Sequence, residues 1–256
     1  MGQLIPIVVP THGRAGKVKA LRVFPGAVLC VADSQRDAYA SAYPDAELVT
    51  HPDSVKGLSP KRQWIYERWG DVFMVDDDVA DFRRVTVQVG ESPYLRPPVP
   101  ELVVQATAET ARQLGVYLFG FSQIGDPAMY RPFAPLSLTG FVGGHAMGVL
   151  SGSKLYWHPD SATVDDFWIS LLNAHHHRMA LIDRRYFASQ EKTFAGVGGQ
   201  GGVRTEDTYR TAYLFLKAHF GESVQMKRDY MVRGKGKGKR QLRRTPAYRP
   251  SASIPF

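Results

Sequence analysis

Apolar and polar positions alternate in blocks along the first third of the chain. Residues 4–10 are nearly all apolar and read as a buried strand. They run into Thr11-His12-Gly13-Arg14-Ala15-Gly16, where two glycines let the backbone approach a ligand closely. Residues 26–33 predict a second strand, 35–43 a helix and 47–50 a short third strand. A helix follows, with Ser59 as its N-cap, Pro60 at its first position and Gly70 as terminator. Residues 72–75 (Val-Phe-Met-Val) predict a strand buried on both faces.

The second half is more broken. Residues 85–100, with Gly90 and four prolines, read as an irregular excursion before a helix over 101–114 that stops at Gly115. Strands are expected over 116–121 and 138–150, separated by a loop at 124–135. Gly143-Gly144 inside the later strand would mark close approach by a ligand. A helix from Thr163 to about Met179 carries Val164, Phe167, Trp168, Leu171, Leu172 and His175 at helical spacing. His175, His176 and His177 diverge around that helix and cannot share a metal. A strand over 181–187 precedes the Gly-rich run 196–202, which is either a lid over substrate or a plain linker. A last helix is expected over 205–220. This succession predicts a single α/β domain with a mostly parallel central sheet flanked by helices.

Composition narrows the class. The hydrophobic fraction is 44% and the charged fraction 22%, as in water-soluble globular chains. No apolar run reaches the ~20 residues of a membrane span. The single cysteine, Cys30, excludes a disulfide framework and fits a small core residue, so a cytoplasmic setting is expected. The net charge of +8 is concentrated: residues 227–249 hold ten basic side chains against one acid, leaving the rest near neutral. Division therefore falls at 1–226 (with halves at about 1–84 and 116–226) and a basic extension, 227–256. Lys235, Lys237, Lys239, Arg240, Arg243 and Arg244 in that extension suit phosphates rather than base edges. A solvated tail that only aids solubility is the alternative.

Candidate chemistry centres on Asp76-Asp77-Asp78 at the end of the 72–75 strand. Side chains alternate along a strand, so Asp76 and Asp78 share one side and Asp77 faces the other. A divalent cation relieves the repulsion of the pair, and hard oxygen ligands suit Mg or Mn. A solvated acidic turn is the other reading. Lys61 and Arg62 sit in the first turn of the preceding helix, against its dipole, which makes sense if an anion docks there. Asp165 and Asp166 open a later helix, where capping by Thr163-x-x-Asp166 is the plain alternative to chemistry.

Taken in order, Pro10-Thr11-His12-Gly13-Arg14, the acid Asp33 after strand two, Lys61-Arg62 and the triple Asp resemble the GT-A (Rossmann-like) glycosyltransferase fold. More specifically, residues 8–16, Gly57-Leu58-Ser59-Pro60-Lys61-Arg62 and the triple Asp resemble the TET-associated glycosyltransferases of bacteriophages. The resemblance spans roughly residues 4–220. It implies transfer of a sugar from a nucleotide-sugar, UDP-linked by expectation, to a hydroxymethylated pyrimidine in double-stranded phage DNA. It further implies that Pro10, Thr11, His12, Arg14 and Asp33 lie at the nucleoside, with Lys61 or Arg62 near base or diphosphate. Asp76 and Asp78 would then hold Mn or Mg, Asp77 would reach the ribose, and Asp166 with Asp165 would serve the acceptor hydroxyl. A GT-A enzyme acting on a polysaccharide, protein or small molecule, and a non-catalytic DNA-binding protein, are the competing readings. A nucleotidyltransferase would want a longer Gly-rich loop after the first strand.

Overall fold

The computed structural model describes residues 3–161, 163–190 and 206–226, together with the strand segments 231–233, 240–242 and 250–252. The first half builds a parallel block from β1 (Ile7–Pro10), β2 (Val28–Ala32), β3 (Leu48–His51) and β4 (Val72–Val75). Helix α1 (Arg36–Ala42) joins β2 to β3, and α2 (Leu58–Trp69) leads into β4. After β4 come β5 (Val79–Arg84), α3 (Val99–Gln113), β6 (Leu118–Ser122), β7 (Leu136–Ser137) and β8 (Ala146–Val149). The chain then runs through α4 (Asp165–His176) and β9 (Leu181–Gln190) to α5 (Glu206–Phe220).

The main sheet has the order β3-β2-β1-β4-β8-β6-β9-β5, with β7 also on β9. The expected α/β architecture is present, and its parallel character belongs chiefly to the first four strands. Strand β8 lies antiparallel between β4 and β6, and β5 and β7 are antiparallel to β9, so the sheet is mixed. β9 is ten residues long because its first half pairs with β6 while its second half pairs with β5. Only three residues separate β4 from β5, so this bend brings the end of β9 back to the tip of β4.

Alternation sorts the strands onto two cores. Ile7, Val9, Leu29, Val31, Phe73 and Val75 face one core with Tyr39 and with Val104 and Ala108 of α3. Val8, Cys30, Met74 and Met147 face the other, under Ile65 of α2, Trp168 of α4 and Leu216 of α5. Cys30 is fully buried, as its apolar run predicted. Parity therefore assigns each residue after Val75 to a face.

Several boundaries differ from the sequence pattern. The N-cap of α2 is Gly57, and Ser59 lies inside the helix, buried and hydrogen-bonded to Ser161. The 138–150 strand shortens to Ala146–Val149, leaving Gly143-Gly144 in the loop before it. Helix α4 starts after Val164 without a side-chain cap, and His175 is exposed instead of joining the apolar stripe. The Gly-rich run 196–202 lies outside the described residues. Within the basic extension, Met231–Arg233 pairs with Arg240–Leu242, and Pro250–Ala252 pairs with Val224–Met226. Lys235, Lys237, Lys239, Arg243 and Arg244 lie outside the described residues.

Candidate active site

Strand order locates the site before any side chain is considered. From β1 the chain steps outward to β2 and β3, then returns to the opposite side of β1 as β4. The carboxyl ends of β1 and β4 thus flank a topological switch point, where open α/β sheets bind ligands. Thr11 leaves β1 there, and Asp76-Asp77-Asp78 leaves β4.

The three acids divide as parity requires. Asp77 turns to the side of Val9 and Val75, where Thr11 Oγ1 donates to it at 2.7 Å and Arg14 Nη1 at 2.6 Å. Asp76 turns to the side of Met74, where Arg62 Nη2 donates to its Oδ1 at 2.7 Å. The Gln190 amide nitrogen donates to both Asp76 Oδ2 (3.1 Å) and Asp78 Oδ1 (2.9 Å), so those two carboxylates share one small space. Burial drives the Asp77 carboxyl up to about 6, against the hydrogen bond from Thr11 and the charge of Arg14. Burial, then the Asp76 charge, raises Asp78 as well. Ionised together, these carboxylates are incompletely neutralised by their neighbours.

That excess bears on a cation. Among the described residues no three His, Cys, Asp or Glu side chains are arranged to hold a metal alone. Asp76 and Asp78 offer two hard carboxylates on one side, which fits Mg or Mn completed by phosphate oxygens and water.

Lys61 and Arg62 are placed otherwise than an anion site at the helix start would require. Lys61 is buried and its Nζ donates to the Thr11 carbonyl at 2.6 Å. Arg62, 1% exposed, donates to Asp76 and to the Gly144 carbonyl at 2.7 Å, and its Nη1 lies 2.7 Å from Asp165 Oδ2. The Asp165 contact lies outside hydrogen-bond geometry and is therefore ionic. Both cations brace the framework, since each already faces a protein oxygen.

Of the helical acid pair, Asp165 is buried beneath Arg62, whereas Asp166 is partly exposed. Asp166 accepts from its neighbour Phe167 N at 2.9 Å and from the Gly144 backbone. Burial raises both carboxyls above the ordinary range, against the Arg62 charge. The glycines before β8 serve this packing. A Cβ on Gly144 would stand 2.8 Å from Arg62 Nη1 and 3.3 Å from the Asp166 Cβ, and one on Gly143 would collide with Gln123. Close approach is real here, and the approaching groups are the protein's own side chains.

At the expected nucleoside end, Thr11 is buried and its hydroxyl is engaged by Asp77 and Tyr39. Pro10 is buried at the end of β1. His12, exposed, lies 3.3 Å from Gln35, and Asp33 is exposed at the end of β2. Arg14 points at Asp77, and its backbone N–H donates to the Tyr39 hydroxyl at 2.9 Å. Gly13 and Gly16 hold positive φ (65° and 76°), which lets this loop turn back.

Three residues of the site are invisible in the sequence pattern. Tyr39 links Arg14 to Thr11 from a helix 25 residues away. Gln190 closes the site from the last residue of β9. His145 lies among Asp76, Asp166 and Arg62, where burial lowers the pKa of its imidazole against the pull of the acids. Its position just after Gly143-Gly144 is the one local signal that could have found it.

Comparison with known proteins follows the same residues. The family model described as TET-Associated Glycosyltransferase matches residues 5–199. The Beta-glucosyl-HMC-alpha-glucosyl-transferase of Enterobacteria phage T6 is 33% identical over 83 residues, 30% of this chain and 30% of that protein. The protein of that name from Enterobacteria phage T2 is 32% identical over the same length. The match thus spans less than a third of these curated relatives. A solved CMP:2-keto-3-deoxy-manno-octonic acid synthetase complexed with CTP overlaps 84% of the chain at 10% identity and a TM-score of 0.39, too loose a likeness to build on. The family match takes in β1, the acidic turn after β4, the Asp165-Asp166 helix and β9, well over half of the chain, and the protein belongs to the TET-associated glycosyltransferases.

Proposed function

We propose that the chain transfers a sugar from a UDP-linked nucleotide-sugar to the hydroxymethyl group of a modified pyrimidine in DNA. The observation that carries this reading is the placement of Asp76 and Asp78, side by side at the switch point between β1 and β4. Asp76 and Asp78 would hold Mn or Mg there, which when bound neutralises the diphosphate leaving group. His12 and Asp33, exposed at the ends of β1 and β2, are the residues open to the nucleoside. Arg14, beside them, swings between Asp77 and the incoming diphosphate. Tyr39, Thr11 and Asp77 fix the loop that carries Arg14.

Asp166 takes the acceptor's proton. The bond between the anomeric carbon and the diphosphate oxygen breaks, its electron pair leaves with the diphosphate, and a bond to the acceptor oxygen forms. Burial favours this role, because a carboxyl held above its ordinary range is a stronger base when ionised. Arg62 and Asp165 hold the start of α4 against Asp76, so base and leaving-group site keep a fixed separation.

DNA as acceptor is supported by the family and by the basic extension, whose charges suit phosphates. The names of the phage T6 and T2 relatives point to a related acceptor. The test is incubation with hydroxymethylated DNA, a panel of nucleotide-sugars and Mn, followed by mass spectrometry of the released nucleosides. A hexose or pentose mass gain on the modified pyrimidine is expected. Gain on a glycan or protein acceptor, with none on DNA, contradicts the reading.

A further inference from the structure

The loop between β6 and β7 is organised to present a bare aromatic ring. Phe133 is 102% exposed, more than in an extended reference chain, and Met129 beside it is 63% exposed. The segment is nevertheless built from defined turns. Asp126 accepts from Ala128 N at 2.9 Å and caps a short 3-10 turn. Tyr130 N closes that turn on the Pro127 carbonyl, and Ala134 N donates to the Arg131 carbonyl at 3.0 Å. Arg131-Pro132-Phe133-Ala134 is thus a β-turn with proline at its second position, which presets the backbone. The loop returns through the Pro135 carbonyl, which accepts from Arg184 N.

Register puts both ends of this loop at the edge of the sheet that carries the acidic site. Met147 of β8 pairs with Met74 on one side and Gly120 on the other, so Ser122 stands level with Asp76, two strands or roughly 10 Å away. Gln123, the next residue, lies against Gly143, beside the glycine that touches Arg62 and Asp166. The loop ends at Leu136, which pairs with Asp183 on the side of β9 away from β6 and level with Phe121, so it returns to the same edge of the sheet.

We infer that Phe133 is a wedge that enters the base stack of duplex DNA beside the acceptor nucleotide, with Arg131 on an adjacent phosphate. The inference rests on the DNA acceptor proposed above. Apolar side chains inserted between base steps unstack and kink a duplex. Enzymes whose target atom is out of reach in the duplex take the base out of the stack. A fully exposed ring on a proline-set turn suits such insertion, and Arg131, two residues before it, complements a phosphate backbone.

The experiment compares native chain, Phe133→Ala and Phe133→Leu on hydroxymethylated DNA as duplex and as single strand. A duplex with 2-aminopurine next to the acceptor reports unstacking by fluorescence. Phe133→Ala is expected to lose roughly tenfold or more in kcat/KM on duplex, with single-strand transfer and donor hydrolysis within twofold of native. It should also lose the fluorescence rise, and Phe133→Leu should recover part of both. Equal losses on duplex and single strand, or a lowered donor hydrolysis, overturn the wedge and place the ring at the sugar. Unchanged transfer with dissociation of a native dimer overturns it in favour of self-association. Native chain inactive on both DNA forms overturns the acceptor reading and the wedge with it, whereas native activity with an indifferent Phe133→Ala removes the wedge alone.

Discussion

Thr11 Oγ1 donates a 2.7 Å hydrogen bond to Asp77 Oδ2, tying the end of β1 to the turn after β4 across the switch point. Because that hydroxyl has one proton, its 2.9 Å contact with Tyr39 must be a bond donated by the tyrosine. Tyr39 in turn accepts from Arg14 N, so a single relay of hydrogen bonds sets the position of the Arg14 loop.

Tyr39→Phe removes two links of that relay and leaves the Arg14 N–H without its partner. Loss of a part-buried hydrogen bond costs about 1–3 kcal/mol. The expected result is a lowered melting temperature and a raised KM for donor with kcat nearly unchanged. Steady-state kinetics against donor concentration checks this.

Arg62 meets Asp76, Asp165 and the Gly144 carbonyl from a fully buried position. Deleting one side of such a network leaves buried charges unpaired, at a cost of about 3–5 kcal/mol. Arg62→Gln should therefore unfold at markedly lower denaturant, read by circular dichroism. A variant as stable as the native chain would mean that the acids are hydrated rather than held by Arg62.

Asp71, at the other end of β4, provides the contrast. It accepts from Ser151 N and Oγ at 2.7 and 2.6 Å and from Arg112 Nη2 at 2.9 Å. Burial opposes its ionisation, and these bonds outweigh it, so its carboxyl stays below the ordinary range. A depressed folded value means that its stabilisation is full above the unfolded value of 3.8 and disappears as pH falls through the folded one. Asp71→Asn should lose stability at pH 7, with that loss vanishing in strong acid, and should leave donor affinity intact.

Asp166 carries the opposite shift. Its folded carboxyl is raised, so it destabilises the fold as pH climbs from the unfolded value through the folded one, and it becomes a base only above the latter. The acid limb of kcat/KM should lie above the ordinary carboxylate value of 3.8. Asp166→Asn should abolish that limb and lower kcat by roughly a hundredfold or more. A limb at the ordinary value would assign the proton transfer to a solvated group.

Much of the framework was legible in the chain. The runs at 7–10, 28–32 and 72–75 are short, apolar and bounded by turn residues, so their strands follow from burial alone. The alternation of Asp76, Asp77 and Asp78 also followed, because parity carries through the turn from Val75. What stayed hidden is what tertiary contact decides. Lys61 and Arg62 read as cations at a helix start awaiting an anion because nothing local reveals that Thr11 and Asp165 wait for them, 50 and 103 residues away in number. Gly143-Gly144 looked like strand because glycine obeys no period, and its reason, room for Arg62 and Gln123, lies in other elements. Gln190 carries no signal at all, since its role depends on the bend in β9.

The carboxylates of Asp76 and Asp78 carry the proposed transfer most directly. Crystals of the protein grown with manganese and a UDP-sugar, measured at the manganese edge, should show an anomalous peak touching both carboxylates and the donor diphosphate. The same data from Asp78→Asn should lose the peak while the fold persists. A donor bound at the β1–β4 crevice with no anomalous signal beside Asp76, or a peak held elsewhere in the native protein, would contradict it.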